Sequence, residues 1–223
     1  MMPFMNFIKA STRIIIITVA LLFVSEYSFA GRGGEKSERP FQHERVLADS
    51  LFRAGSYDTI LAVTEPVLEA LKSGRDTLEV ADIIYLRGLA ARSLRRYDLA
   101  SESFDRAVSA AEATGDTITW MAALGYAGAM KSLYGKMDES LALNRRKLEL
   151  SLSRDDPGSE GWARTGIGYV LLNRGEFEAA RDEYSRAAAL FRENGMSRDE
   201  LTPLIGQGRA LHGLLDFVGA RSS

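Results

Sequence analysis

Between Phe41 and Ser223, small and apolar residues recur at the spacing of a helix face. Positions 81, 84, 88 and 91 lie on one side of a helical wheel, and positions 201, 204, 208 and 211 repeat that spacing. A second kind of segment places small and aromatic residues at i, i+4 and i+7, as in Ala100, Phe104 and Ala107. This alternation predicts paired α-helices in which aromatic rings fill the space left by the small residues.

These segments recur with a period of forty residues. One register contains Ala48, Gly88, Gly128, Gly168 and Gly208. A second register contains Tyr57, Tyr97, Met137, Phe177 and Phe217, and a third contains Ile60, Ala100, Ser140, Ala180 and Ala220. Because the steps contain no insertion, the chain is predicted to be one array of equal structural units.

Each unit is predicted to be a helical hairpin. A first helix of about fourteen residues is followed by a short turn and by a longer second helix that begins near the aromatic position. The turn centres are occupied by Gly55, Arg95, Gly135, Gly175 and Leu215. Polar segments with capping and helix-breaking residues end the second helices at 73–77, 113–117, 154–159 and 193–200.

The central glycine, the turn glycine followed by an aromatic residue, and the later aromatic and alanine resemble the tetratricopeptide repeat, in its lengthened forty-residue variety. The resemblance covers about residues 41–223 and is strongest in 81–114 and 161–194. It is weaker in the third copy, where Asn144 and Lys147 replace the aromatic and the alanine, and in the first, where Thr64 and Val67 do. It implies an all-α, right-handed α-solenoid of about four and a half hairpins, at 41–80, 81–120, 121–160, 161–200 and 201–223.

The fifth copy reaches Ser223 three residues after Ala220, so only a short second helix is expected after Leu215. That ending leaves Leu211, Leu214 and Phe217 with little cover. Three interpretations stay open: a truncated relative of a longer protein, a subunit interface at 201–223, or a hairpin that frays.

The N-terminal segment has the order of a secretory signal. Lys9 and Arg13 precede an apolar run at 14–24, and Ser28 and Ala30 form a small-x-small exit. The run is about half the roughly 20 residues of a membrane span. We expect residues 1–30 to be a cleaved signal peptide, with an uncleaved membrane anchor as the alternative, and residues 31–40 to be a flexible linker. Either reading predicts a periplasmic or secreted protein.

The composition argues against several classes of function. The 223 residues include no cysteine, which excludes thiol catalysis, disulfides and cysteine-based zinc sites. The net charge of −2 comes without a basic stripe, so nucleic acid is not an expected partner. His43 and His212 lack a metal-ligand spacing, and no catalytic or dinucleotide-binding motif is present. We expect a protein that is not an enzyme and that uses neither a metal nor a cofactor.

The resemblance implies a peptide groove lined by the first helices of the hairpins. Transferred through the forty-residue register, the candidate binding residues are Arg45, Asp49, Phe52, Tyr85, Arg92, Tyr126, Trp162, Tyr169 and Asn173. Aromatic and arginine side chains dominate binding hot spots, although Trp162 and Tyr85 have the alternative of packing between hairpins. Arg45 and Asp49 stand where chaperone-binding relatives carry a lysine and an asparagine, so a chaperone C-terminus is not an implied partner.

Two functions fit this pattern. The first is an exported scaffold that binds a peptide or protein partner in its concave groove. The second is a sensory or regulatory module, similar to the front portion of some membrane-bound sensor kinases, that self-associates through residues 201–223.

Overall fold

The computed structural model describes residues 41–72 and 78–221, with side chains described outside 70–72, 78 and 216–221. The signal peptide or anchor expected at 1–30, the linker expected at 31–40 and the polar turn expected at 73–77 lie outside the described residues.

The described chain is all helical and contains no strand. Its helices are α1 (Gln42–Arg53), α2 (Tyr57–Lys72), α3 (Leu78–Ser93), α4 (Tyr97–Thr114), α5 (Thr117–Leu133), α6 (Met137–Ser153), α7 (Pro157–Asn173), α8 (Phe177–Glu193) and α9 (Ser197–Arg221). Each helix packs on the one before it, so α1–α2, α3–α4, α5–α6 and α7–α8 are successive hairpins and α9 covers α8. The predicted all-α solenoid of paired helices is therefore confirmed.

The turns depend on residues in the left-handed backbone region. Gly55, Gly135 and Gly175 have φ values of 68°, 73° and 77°, as the turn glycines of the sequence predict. Arg95 takes the same place in the second hairpin with φ 60°, which costs a non-glycine residue about 1–2 kcal/mol. The residue after each turn closes the preceding helix, as when the backbone N–H of Arg96 donates to Ala91 O at 2.8 Å.

Glycine and aromatic residues hold the hairpins together at close range. A Cβ added at Gly88 would lie 2.6 Å from Cε1 of Phe104, and one added at Gly168 would lie 3.0 Å from Cε1 of Tyr184. Phe104 is fully buried and Tyr184 nearly so. As predicted, an aromatic ring therefore fills the space left by a glycine in the second and fourth hairpins.

Two details of the sequence prediction are wrong. The first helices α3, α5 and α7 have 16, 17 and 17 residues rather than about fourteen, so both helices of a hairpin have similar lengths. The fifth copy is one continuous helix, because Leu215 stays helical instead of forming a turn. Arg95 shows that a non-glycine turn can form when a full second helix packs back, and the six helical residues after Leu215 are too few to supply such packing.

The last helix therefore presents one uncovered side. Its exposed apolar residues share a helix face and are Leu201, Leu204, Ile205, Leu211 and Leu215. Within 41–72 and 78–221, none of the helices combines the length and the apolar character that crossing a bilayer requires.

Two glycines at the same repeat position allow a matched test of hairpin packing. We expect Gly88→Ala to destabilise the fold by about 1–3 kcal/mol, because the new methyl group overlaps the buried Phe104 ring. Gly208 has no neighbour within 4 Å of an added Cβ, so Gly208→Ala should stabilise the fold by up to about 1 kcal/mol through helix propensity. Urea unfolding followed by circular dichroism measures both changes, and equal effects at the two positions would refute close packing as the role of Gly88.

Candidate functional site

A groove runs between the first helices of the third and fourth hairpins. Its walls are α5 and α7, its floor is the inner face of α6, and Arg92 of α3 and Tyr97 of α4 also line it. The cavity has a volume of about 1100 Å³, at the upper end of the range for ligand pockets. Lining residues extend along α5 from Ile118 to Leu133, which is about 22 Å at 1.5 Å per residue.

Aromatic residues and an arginine form part of the groove wall beside α5. Tyr126 stacks on the buried Phe104 ring with centroids 5.1 Å apart, and the Arg92 guanidinium lies 4.9 Å from the Tyr126 ring centroid on the other side. Tyr85 packs against Tyr126 at 5.8 Å without lining the groove, and its burial raises the pKa of its hydroxyl. The predicted pair Arg92 and Tyr126 is thus brought together in the groove wall, whereas Tyr85 supports that wall from behind.

The other wall carries Trp162 and Tyr169 on α7. These two residues are 39% and 41% exposed and line the groove. Trp162 also contacts Phe191 edge-on, with centroids 5.4 Å apart, so its packing alternative is partly realised. Both residues present ring surface to the groove, as their register predicts.

The remaining predicted residues lie elsewhere. Arg45 Nε donates to Asp82 Oδ2 at 2.5 Å, and Asp49 forms an ion pair with Arg53 at 2.6 Å. Phe52 packs on Tyr57 with ring centroids 5.5 Å apart. Asn173 donates to Tyr169 O at 2.7 Å, at the end of α7. None of these four is among the residues that line the groove.

The groove floor is polar at positions where the second hairpin is apolar. In α6 the four core positions are occupied by Ser140, Asn144, Lys147 and Ser151, all of them buried. The corresponding residues of α4 are Ala100, Phe104, Ala107 and Ala111. In the sequence, Asn144 and Lys147 only weaken the resemblance of the third copy to the repeat. The polar residues at all four core positions are nevertheless a signal, readable from the sequence, that this helix does not face an apolar core.

Glycines bring these polar side chains to the groove. A Cβ at Gly125, in the middle of α5, would lie 3.0 Å from Lys147 Nζ. A Cβ at Gly166, in the middle of α7, would lie 2.1 Å from Asn144 Oδ1. Both glycines line the cavity. Their missing side chains therefore give the α6 groups access to the groove between α5 and α7.

Lys147 is a buried cation without an internal partner. Its side chain is 8% exposed, and it forms no hydrogen bond or ion pair with any residue that the structure describes. Burial lowers its pKa to about 8, and the nearby charge of Asp156 only partly opposes this shift. The Asp156 carboxylate is itself engaged, because it accepts a hydrogen bond from the backbone N–H of Ser159 at 2.9 Å as the N-cap of α7.

The first hairpin shows how a polar core residue is otherwise satisfied. Thr64 stands where Phe104 and Tyr184 stand in their hairpins, and it is fully buried. Arg87 crosses from α3 and donates to Thr64 Oγ1 at 3.0 Å and to Leu61 O at 2.6 Å. The Thr64 hydroxyl thus finds its partners within the protein, whereas the Lys147 ammonium faces an open cavity.

The described lining of the groove is positively charged. It contains the cations Arg92, Lys147 and Arg154 and the single anion Asp156, although the whole chain has a net charge of −2. The site therefore combines exposed rings on its walls with excess positive charge on its floor and ends.

The burial of Lys147 makes folding stability depend on pH. Because the folded pKa of about 8 lies below the unfolded value of about 10.4, the charged lysine destabilises the fold below about pH 8 and this cost fades as the pH rises. We expect Lys147→Met to be more stable than the wild type by about 1–3 kcal/mol near pH 7 and the difference to shrink by about pH 10. Denaturant titrations of both proteins at several pH values measure this difference in unfolding free energy. A difference that stays constant with pH would contradict the lowered pKa of Lys147.

Comparison with known proteins bears on the fold and the repeat. Residues 81–114 match the family model described as tetratricopeptide repeat, which is one of the two stretches where the sequence resemblance is strongest. No curated protein sequence matches the chain.

Among solved structures, a candidate kinesin light chain with nearly identical TPR-like repeats from Podosopora anserina aligns with a TM-score of 0.63 and 12% identity, over 84% of this chain and 93% of that one. A point variant of that protein gives a TM-score of 0.64 at 13% identity over the same shares of the two chains. MamA of AMB-1 aligns at 20% identity, over 81% of this chain and 89% of that one, with a TM-score of 0.48. At these identities the first two structures establish the fold. The chain therefore has the fold of stacked helical hairpins seen in those TPR-like structures, and its residues 81–114 match the tetratricopeptide repeat model.

Proposed function

We propose that the protein is a scaffold that binds a segment of a protein partner in the groove between α5 and α7. Repeats of this type commonly mediate interactions between proteins and are typically not enzymes. The observation that carries the proposal is the groove itself, whose walls expose Trp162 and Tyr169 and are lined by the first helices of the hairpins. Large exposed rings beside a cavity are typical of binding hot spots.

The proposed site extends over the second, third and fourth hairpins. It includes Arg92, Tyr126, Trp162 and Tyr169, whereas Arg45, Asp49 and Phe52 belong to the first hairpin and to contacts outside the cavity. The groove is long enough for about six or seven extended residues at about 3.3 Å each. This length favours a peptide segment over a compact metabolite.

We further propose export from the cytoplasm, supported by the basic start, short apolar run and small-x-small exit of residues 1–30. The mass of the protein recovered from the cell envelope checks cleavage after Ala30, and an intact protein found only in the cytoplasm would refute export.

Substitutions in the groove wall test the binding proposal. We expect Tyr169→Ala and Arg92→Ala each to weaken binding of selected peptides by about tenfold, because each removes an exposed ring or a stacked cation from the wall. The peptides would be selected from a displayed library of random seven-residue sequences, and their affinities measured by fluorescence anisotropy. Leu152→Ala is the matched control, since Leu152 is 52% exposed but lies outside the groove. Unchanged binding by both groove variants, with normal circular dichroism, would count against this site.

Self-association is a second candidate function, and the uncovered side of α9 favours it. Leu201 and Ile205 are 62% and 57% exposed on one helix face, and apolar patches of this kind mark interaction surfaces. Two copies that meet through the same face would bury these residues in a closed dimer.

Light scattering of the purified protein tests this candidate. We expect a dimer for the wild type and a monomer for Ile205→Lys, because a lysine in the centre of the interface would be buried without a partner. Leu152→Lys places the same charge on another exposed leucine and should leave the dimer intact. A wild type that stays monomeric at high concentration removes the candidate.

A further inference from the structure

The Lys147 ammonium lies at the middle of the groove floor. It projects from α6 toward Gly125, which stands halfway along α5, and the Cβ of any larger residue there would crowd Nζ at 3.0 Å. The ammonium is therefore placed where an occupant of the groove would pass, at about equal distance from the two ends of α5.

A largely buried lysine at this place costs stability that the nearby charge of Asp156 only partly offsets. The side chain is more than nine-tenths buried and lacks a hydrogen-bonding or ionic partner among the described residues. Asp156 is the one carboxylate in the described lining, and it caps α7 and acts on Lys147 through its charge without forming a direct ion pair. An anion from outside would supply the missing partner.

The surroundings of Lys147 favour an anion on an otherwise apolar segment. Arg92 and Arg154 add positive charge to the lining, while Met121, Tyr126 and Trp162 present apolar surface to the same groove. A low dielectric around a cation strengthens the attraction between that cation and a carboxylate. The groove is also open along about four turns of α5, so the chain that carries the anion can continue past it in both directions.

We propose that the groove selects a partner segment with an aspartate or glutamate side chain at its centre, whose carboxylate accepts hydrogen bonds from the Lys147 ammonium while flanking apolar residues contact Tyr126 and Trp162. This inference rests on the proposed function as a peptide-binding scaffold and names the chemistry of the bound segment.

Selection from a library of displayed random seven-residue peptides tests the inference with the full chain. We expect the wild type to enrich peptides with a central acidic residue between aliphatic or aromatic residues. We expect Lys147→Met to keep the apolar preference and to lose the acidic one. For a selected peptide, replacing its acidic residue with the amide should weaken binding to the wild type at least tenfold and leave binding to Lys147→Met almost unchanged.

Arg154→Met is the matched control, because it removes one positive charge from the same lining at an exposed position. It should keep the acidic preference. Lys147→Gln is a second variant, which removes the charge but keeps a polar side chain that is one bond shorter. The same loss of the acidic preference is expected from it.

The outcomes separate the two proposals. A wild type that enriches no peptide removes the peptide-binding groove and this inference together. Enrichment of apolar peptides without an acidic preference leaves the groove and overturns the carboxylate. Equal loss in Arg154→Met and Lys147→Met overturns the role of Lys147 and assigns the preference to the general positive field.

Discussion

The architecture depends on the close approach of two helices within each hairpin. Gly88 against Phe104 and Gly168 against Tyr184 place a ring where a side chain is missing, so that helix axes come together and the ring is buried. A glycine inside a helix costs about 1 kcal/mol, and the buried ring surface offsets that cost. The forty-residue register places this contact in the second and fourth hairpins and keeps the same helix pairing in the hairpins between and before them.

The candidate site lies at the third hairpin, where the contact between a glycine and an aromatic ring is absent. In the third hairpin, Gly128 faces Asn144 instead of a ring, with Asn144 Nδ2 2.8 Å from where a Cβ would stand, and Lys147 takes the place of a small residue one turn later. A smaller, polar side chain fills less of the space between α5, α6 and α7. The cavity and its charge thus both arise from replacements in the third copy, where Asn144 stands in place of the aromatic residue and Lys147 in place of the alanine.

The sequence allowed the hairpins to be predicted well because the repeat supplies several independent observations of one pattern. The turn glycines Gly55, Gly135 and Gly175 and the small residues of the first helices fixed the register even where one copy is atypical. The path of α9 could not be predicted in the same way, since a turn at Leu215 depends on packing by a second helix and not on the residue alone. The groove was predictable only in part: the register locates Trp162 and Tyr169, but whether a cavity opens between them depends on the side chains of α6 from a different segment.

The uniform connections have an evolutionary consequence. From Tyr97 to Ser197 a new helix begins every 20 residues, and the connections between these helices contain only two or three residues. Duplicating or deleting a forty-residue module would join the same kinds of chain ends and leave neighbouring modules undisturbed. An array built in this way can lengthen or shorten its inner surface in whole steps, while a single divergent module sets its chemical character.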